Sequence, residues 1–265
     1  MLTVSWAIMA HPKRAALVEL LHEELGAPDI PVVWDRKDDR WDTGRRSMLA
    51  YDPACSYHAV IQDDVIPALD LVAGLPKILE RLPETAPLCG YVGTVRPAVT
   101  EIGHACREAE RLRASFIRMH TLNWGPLIVV PTAAIEEMIR YCDPLREIAN
   151  YDRRLSRYWE LARREPIWYT WPAVVDHRDG PSLVPGRNGA HRNGGGSRVA
   201  RKFLAGSVLE ANWDGEVVDE NYCGRYAGRP CSSWRHKPSG KRITVPKDSH
   251  RAKCLAANRL WEQMP

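Results

Sequence analysis

The sequence predicts an α/β protein, with a mainly parallel, doubly wound sheet flanked by helices and a small basic unit at its C-terminal end. Three observations carry this expectation. Short apolar runs alternate with stretches of helical spacing through the first 180 residues, the order that builds a parallel sheet with helices on its faces. His11, Asp35 and the pair Asp63-Asp64 fall just after the first three apolar runs, where open sheets of this kind bind ligands. Charge and cysteine content then change in the last third of the chain.

Strand character is assigned to residues 2–9, 31–34, 58–62, 88–92, 127–130 and 167–171, each a short run of apolar residues. Helical spacing is read over 13–25, 44–50, 69–81, 133–141 and 153–164. From Gly186 to Gly196 the chain reads as a flexible basic linker, with a short helix-like piece over 198–204. The expected domains are therefore a catalytic body over 1–185, a glycine-rich connection over 186–204 and a basic unit over 205–265. There are no internal repeats.

Composition narrows the function classes. A chain of 265 residues accommodates one substantial domain and an appendage. The longest apolar runs fall far short of the roughly 20 residues that span a bilayer, and the N-terminus reads as a first strand rather than a signal peptide. No membrane partner is expected. Seven cysteines, with Cys55, Cys89 and Cys142 isolated in separate segments, suit reduced thiols in a cytoplasm. Residues 181–265 hold 15 Lys and Arg against 7 Asp and Glu, whereas residues 1–180 hold 22 against 26. An acidic body with a basic tail points to a polyanionic partner for the tail, although solubility alone also produces such a terminus.

The segment Ala59-Val60-Ile61-Gln62-Asp63-Asp64-Val65 ends an apolar strand in two adjacent carboxylates. Side by side they repel and lose hydration, so a buried pair calls for a divalent cation or a cationic side chain; the alternative is a solvated turn. With oxygen ligands, Mg or Mn is favoured. Further along lie Asn123-Trp124-Gly125-Pro126-Leu127, Tyr151-Asp152-Arg153-Arg154-Leu155, and the stretch from Trp171-Pro172 through His177 to Ser182. In order and spacing these resemble the metal-dependent glycosyltransferases of the A-type, Rossmann-like fold, and particularly the family that includes lipooligosaccharide and collagen galactosyltransferases. Gln62 departs from the glutamate that many members carry, and the Cys-bearing tail is foreign to that pattern.

The resemblance implies transfer of a sugar from a nucleotide-sugar donor, with Mn or Mg neutralising the diphosphate leaving group. Asp64 is the first metal ligand and His177 a second, the alternative for His177 being a surface residue in a charged turn. Asp63 meets the metal through water or the donor ribose. His11 and Arg14 meet ribose or phosphate, Asp35 a base edge, and Arg45 the diphosphate, since guanidinium matches phosphate with two parallel donors. Asp152 is the base for the acceptor hydroxyl if the anomeric carbon inverts, the alternative being a helix N-cap. Trp124, Trp168, Tyr169 and Trp171 are expected to form a sugar-stacking wall or part of the core.

In the tail, Cys223-Gly224-Arg225-Tyr226-Ala227-Gly228-Arg229-Pro230-Cys231 resembles the first half of small zinc-binding modules of phage and bacterial proteins. His250 and Cys254, at i and i+4 on one helix face, supply a second pair of structural zinc ligands, with His236 as a substitute. Basic residues interleaved with Tyr226 and Trp234 suit phosphate contacts and base stacking. The expected function is glycosyl transfer onto a hydroxymethylated base in phage-type DNA, in the host cytoplasm if the chain is phage-encoded. The alternatives are the same transfer onto protein or a surface glycan, and a non-catalytic zinc-containing nucleic-acid binder.

Overall fold

The computed structural model describes residues 2–94, 99–178, 198–219, 234–235 and 242–243. Contacts divide the chain into two compact units, Met1–Asp219 and Glu220–Pro265. This differs from the sequence-based boundaries at 185 and 205. The difference has a physical cause: residues 198–219 are bonded into the first unit, and their last strand extends its sheet.

Strand β1 (Val4–Ala10) leads through a 3-10 turn (Pro12–Arg14) into α1 (Ala15–Leu25), which Gly26 closes in the left-handed conformation at φ 60°. Strand β2 (Val32–Trp34) is followed by α2 (Arg40–Met48), four residues earlier than the spacing predicts. Asp39 sets that start, because its carboxylate accepts the N–H groups of Trp41 and Asp42. Strand β3 (Tyr57–Gln62), the short β4 (Val65–Pro67), α3 (Leu71–Leu79) and β5 (Leu88–Cys89) come next. They are followed by α4 (Val99–Leu112), β6 (Phe116–Met119), β7 (Leu127–Pro131) and α5 (Ile135–Cys142). Helix α6 (Tyr151–Arg157) runs on into a π-helical turn over Tyr158–Arg163. Strands β8 (Ile167–Thr170), β9 (Val175–His177) and β10 (Val217–Asp219) complete the unit.

Eight of these strands form one sheet in the order β10-β6-β8-β5-β7-β3-β1-β2. The α/β expectation is met, with a sheet that is mixed. Pairs β3–β1 and β1–β2 are parallel and make the β-α-β-α-β half that the N-terminal sequence predicts. Strand β7 then enters antiparallel between β3 and β5, while β5–β8 and β6–β10 are parallel and β6–β8 antiparallel. Strands β4 and β9 pair with each other outside this sheet.

Strands β3 and β7 are the central layer, and every residue from Tyr57 to Ile61 and from Leu127 to Pro131 is buried. That explains their unbroken apolar character, since strands covered on both faces need no polar alternation. Leu21 of α1, Met48 of α2, Leu75 of α3, Ile135 of α5 and Leu155 of α6 close the faces at full burial. Burying each such side chain contributes about 1.5–3 kcal/mol.

Several elements depart from the sequence reading. Helix α4 and strands β4, β6, β9 and β10 lie where no element was expected. Residues 198–204 form no helix but an extended strap: Thr94 donates to Val199 O, Arg201 to Val92 O, and Leu204 to Ala173 O. In the second unit, Trp234–Arg235 pairs antiparallel with Arg242–Ile243. The zinc candidates Cys223, Cys231, His250 and Cys254, with His236, lie outside the described residues. Among those described, no helix is long and apolar enough to cross a membrane, and Cys55, Cys89, Cys106 and Cys142 are free thiols.

Candidate metal and donor site

The carboxylate pair stands at the carboxyl end of β3, beside the end of β1. Asp63 and Asp64 are 4% and 6% exposed, which rules out a solvated turn. Burial of two adjacent anions demands compensation, and the first turn after β1 supplies it. The backbone N–H of His11 donates to Asp63 Oδ2 at 2.8 Å. Arg14 Nη1 then lies 2.9 Å from Asp63 Oδ1 and 2.6 Å from Asp64 Oδ2, bridging both. Burial raises the Asp63 carboxyl above its ordinary value and Asp64 adds to the rise, against the pull of His11 N–H and Arg14. For Arg14, burial works to lower the guanidinium, but the charges of Asp64 and Asp63 outweigh it and hold it above the ordinary value.

Across from Arg14, the β4–β9 pairing sets Val65 opposite His177 and so brings the imidazole to Asp64. His177 Nε2 is 3.5 Å from Asp64 Oδ2, and its Nδ1 is 3.0 Å from Arg178 O. A carbonyl only accepts, so Nδ1 carries the hydrogen and Nε2 is the ring atom turned toward the carboxylate, as a lone pair or with a second hydrogen. Two lone-pair donors facing each other in a buried site require a proton or a metal cation between them. Asp64 Oδ1 is also buried with no hydrogen-bond partner. Its backbone carbonyl accepts from Arg178 N–H at 2.8 Å, and the Arg178 side chain is held by Glu24. A buried carboxylate with one orphaned oxygen, and an imidazole nitrogen near its other oxygen, is a donor set that fits Mn or Mg.

The remaining predicted residues divide into those near the pair and those engaged elsewhere. His11 has the opposite tautomer to His177: Lys13 N–H donates to its Nδ1 at 3.1 Å, so Nε2 carries the hydrogen toward Asp38 Oδ1 at 3.2 Å. His11, Asp35 and Asp38 group their polar atoms within 4.8 Å of one another. This cluster is tied internally, with Asp35 Oδ1 also accepting Lys37 N–H. Arg45 is paired to Asp143 through Nε at 2.9 and 3.2 Å, an engagement that competes with any phosphate.

Asp152 lies in the first turn of α6, two residues after the N-cap position, which is Asn150. Its neighbour Tyr151 is buried between the two acidic groups, and burial first, then the charge of Asp152 and more weakly Asp64, pushes the phenol far up. Tyr151 seats α6 against the sheet. A Cβ on Gly44 or on Gly125 would come within 2.7 Å of its side chain, so both positions need glycine.

Of the two expectations for the aromatic residues, core holds for three. Trp168, Tyr169 and Trp171 are 7%, 0% and 4% exposed and belong to the core, because β8 is flanked by β5 and β6. Trp124 alone of the four is half-buried, edge-on to Tyr91 and Tyr169. Sequence reasoning missed Tyr151 and Arg178, although each adjoins a residue it singled out. It also missed Asp176, whose Oδ1 accepts Ala200 N–H at 2.6 Å and fastens the strap beside His177.

No family model and no curated protein matches the chain. Among solved structures, similarity is found to a Drosophila β-1,4-galactosyltransferase 7 mutant in complex with manganese, UDP-Gal and xylobiose. Identity is 10% over 52% of this chain and 52% of that one, with a TM-score of 0.32, so the chain spans about half of that protein's length. Similarity is also found to a glycosyltransferase involved in glycosylation of the major capsid of PBCV-1, at 14% identity over 62% of this chain and 80% of that one, with a TM-score of 0.30. At such TM-scores neither similarity carries weight for the assignment, which rests on the site's own geometry.

Proposed function

We propose that the chain is a metal-dependent glycosyltransferase of the A-type fold that moves a sugar from a nucleotide-sugar to a hydroxyl acceptor. The observation that carries this reading is Asp64 at a strand's carboxyl end, with Oδ1 buried and unpartnered and Oδ2 3.5 Å from His177 Nε2. Asp64 and His177 would hold Mn or Mg, which when bound supplies charge neutralisation for a diphosphate leaving group. Asp63 keeps the pair oriented through His11 N–H and Arg14. The Nε2–H of His11 and the carboxylate of Asp35 are donor and acceptor for the nucleoside. Asp152, on the other side of Tyr151, is the base that takes the proton of an acceptor hydroxyl whose own pKa lies far above neutrality.

For the acceptor, the basic C-terminal composition favours a polyanion, and a hydroxymethylated base in DNA offers the required hydroxyl. Such a base would be flipped from a duplex to reach the site. The four tail ligands Cys223, Cys231, His250 and Cys254 would close a structural zinc site, and metal analysis of the purified protein then gives about one zinc per chain, reduced by Cys223→Ser.

The test is transfer from a panel of labelled nucleotide-sugars, with Mn, to DNA containing hydroxymethylated pyrimidines and in parallel to protein extract. Label on DNA that is lost in Asp64→Ala supports the whole reading. Label on protein alone moves the acceptor, and full activity in Asp64→Ala overturns the metal assignment. Removal of residues 220–265, a cut that leaves β10 in its sheet, is expected to abolish salt-sensitive DNA binding.

A further inference from the structure

The cation that the Asp63-Asp64 pair requires is already provided by a side chain, and this has a consequence for metal binding. Arg14 Nη1 touches both carboxylates, and all three side chains are 16% exposed or less. It reaches them from the Pro12–Arg14 turn, where Pro12 and Lys13 are exposed. The carboxylates, by contrast, are fixed: Asp63 N–H donates to Met9 O at 3.2 Å, and the Asp64 carbonyl accepts Arg178 N–H. Arg14 reaches the pair through a long side chain with several rotatable bonds, whereas the carboxylates are carried on short side chains at the end of a sheet strand.

Asp64 Oδ2 is shared by Arg14 and His177, while Oδ1 is buried and unpartnered. A divalent cation on Asp64 would share one carboxylate with the Arg14 charge, and in a buried site like charges repel strongly. Resting on the metal reading above, we propose that Arg14 is a built-in counter-ion that a divalent cation displaces from Asp64. Arg14 thereby sets the metal affinity, and its guanidinium is released at the rim of the site, where it meets the donor's diphosphate. Two roles that look incompatible, carboxylate partner and phosphate contact, then belong to one residue in successive states. Guanidinium serves both because its planar donor fork matches carboxylate and phosphate alike.

The test is Mn binding by titration calorimetry to the full chain and to Arg14→Gln, Arg14→Lys and Asp64→Asn, with thermal unfolding of each with and without Mn. Arg14→Gln removes the competing charge and is expected to bind Mn roughly tenfold more tightly or better, the size of effect seen for close buried charge pairs. Its metal-free midpoint is expected to fall, because two buried carboxylates lose their compensation, and Mn is expected to raise it more than in the parent protein. Arg14→Lys keeps charge but loses the bridging fork, so an intermediate tightening is expected; it decides the matter if Arg14→Gln does not fold.

Unchanged or weaker Mn binding in the Arg14 variants, with Asp64→Asn still losing it, overturns this inference and leaves the metal site standing. Absence of Mn binding to the parent chain and both Arg14 variants overturns both. The released guanidinium is read separately, with inorganic pyrophosphate as probe at saturating Mn. Arg14→Gln is expected to bind it more weakly, and equal binding overturns that half.

Discussion

Two histidines follow strands on either side of the carboxylate pair, and their hydrogen-bond partners give them opposite chemistry. His177 gives its Nδ1 hydrogen to a carbonyl and turns Nε2 toward Asp64. His11 receives a backbone N–H on Nδ1 and turns an Nε2–H toward Asp38. On the proposed reading one ring holds a cation, whereas the other donates a hydrogen bond. The same residue type at comparable strand ends thus takes its role from one backbone contact, a carbonyl in one case and an amide in the other.

The largest expected effect falls on the group that distinguishes the two regions, Asp64. Asp64→Asn, nearly isosteric and neutral, is expected to lower Mn affinity by at least about 100-fold, since losses of 10- to 100-fold already follow from supporting residues alone. Retained affinity in a calorimetric titration would mean that Arg14, not a metal, is the pair's permanent partner. A step smaller, His177→Ala is expected to weaken Mn binding roughly 10- to 100-fold, whereas His11→Ala changes it by less than about threefold. Equal losses from the two would break the tautomer comparison outright.

A third histidine sharpens the contrast at the smallest scale. His58 is fully buried, with Nδ1 at 2.9 Å from Ser5 Oγ and Nε2 at 2.8 Å from Ser47 O, so both nitrogens are spent on structure. Burial lowers its pKa from the ordinary 6.5, more than its hydrogen bonds raise it. The unfolded chain therefore takes up the proton first as pH falls. Stability from this group is complete above about pH 6.5, declines as pH falls from there toward the lowered folded value, and changes no further below it. Urea midpoints measured across pH 5–8 are expected to show this slope, and His58→Gln, though less stable at neutral pH, is expected to flatten it.

How far the sequence carried these conclusions depended on whether the signal was local. The β-α-β-α-β beginning was legible because β1, β2 and β3 are apolar runs with helical spacing between them, and the acidic pair was legible because it ends one of those runs. Strand direction was not, for β7 has the same composition whether it runs parallel or, as here, antiparallel to β3. Helix α4 was missed because its buried stripe, Ile102, Ala105, Cys106 and Ala109, is made mostly of small residues among charged ones. Strand β10 escaped because Val217 and Val218 lie between acidic residues at the very edge of the sheet. The aromatic residues were left open between two places for a related reason: an aromatic run reads alike as ligand wall or core until the neighbours of β8 are known. In the site, Asp64, His177 and Arg14 could be nominated individually. The Arg14 bridge and the two tautomers depend on contacts between distant segments, which composition does not encode.

The two-stranded ladder of β4 and β9, with Val65 opposite His177, has a bearing on how such a site can be inherited. Side chains alternate along a strand, so a single inserted residue on the Asp64 side or within β9 would turn the imidazole to the other face, and no loop could restore it. Between Pro67 and Val175, however, the loops that join the sheet strands and helices can vary in length as long as those elements and the three rungs survive. Descendants of this chain are therefore expected to differ greatly in their middle while keeping the residue count from Asp64 into β4 and along β9 unaltered, a pattern that recombination of the intervening segment could test.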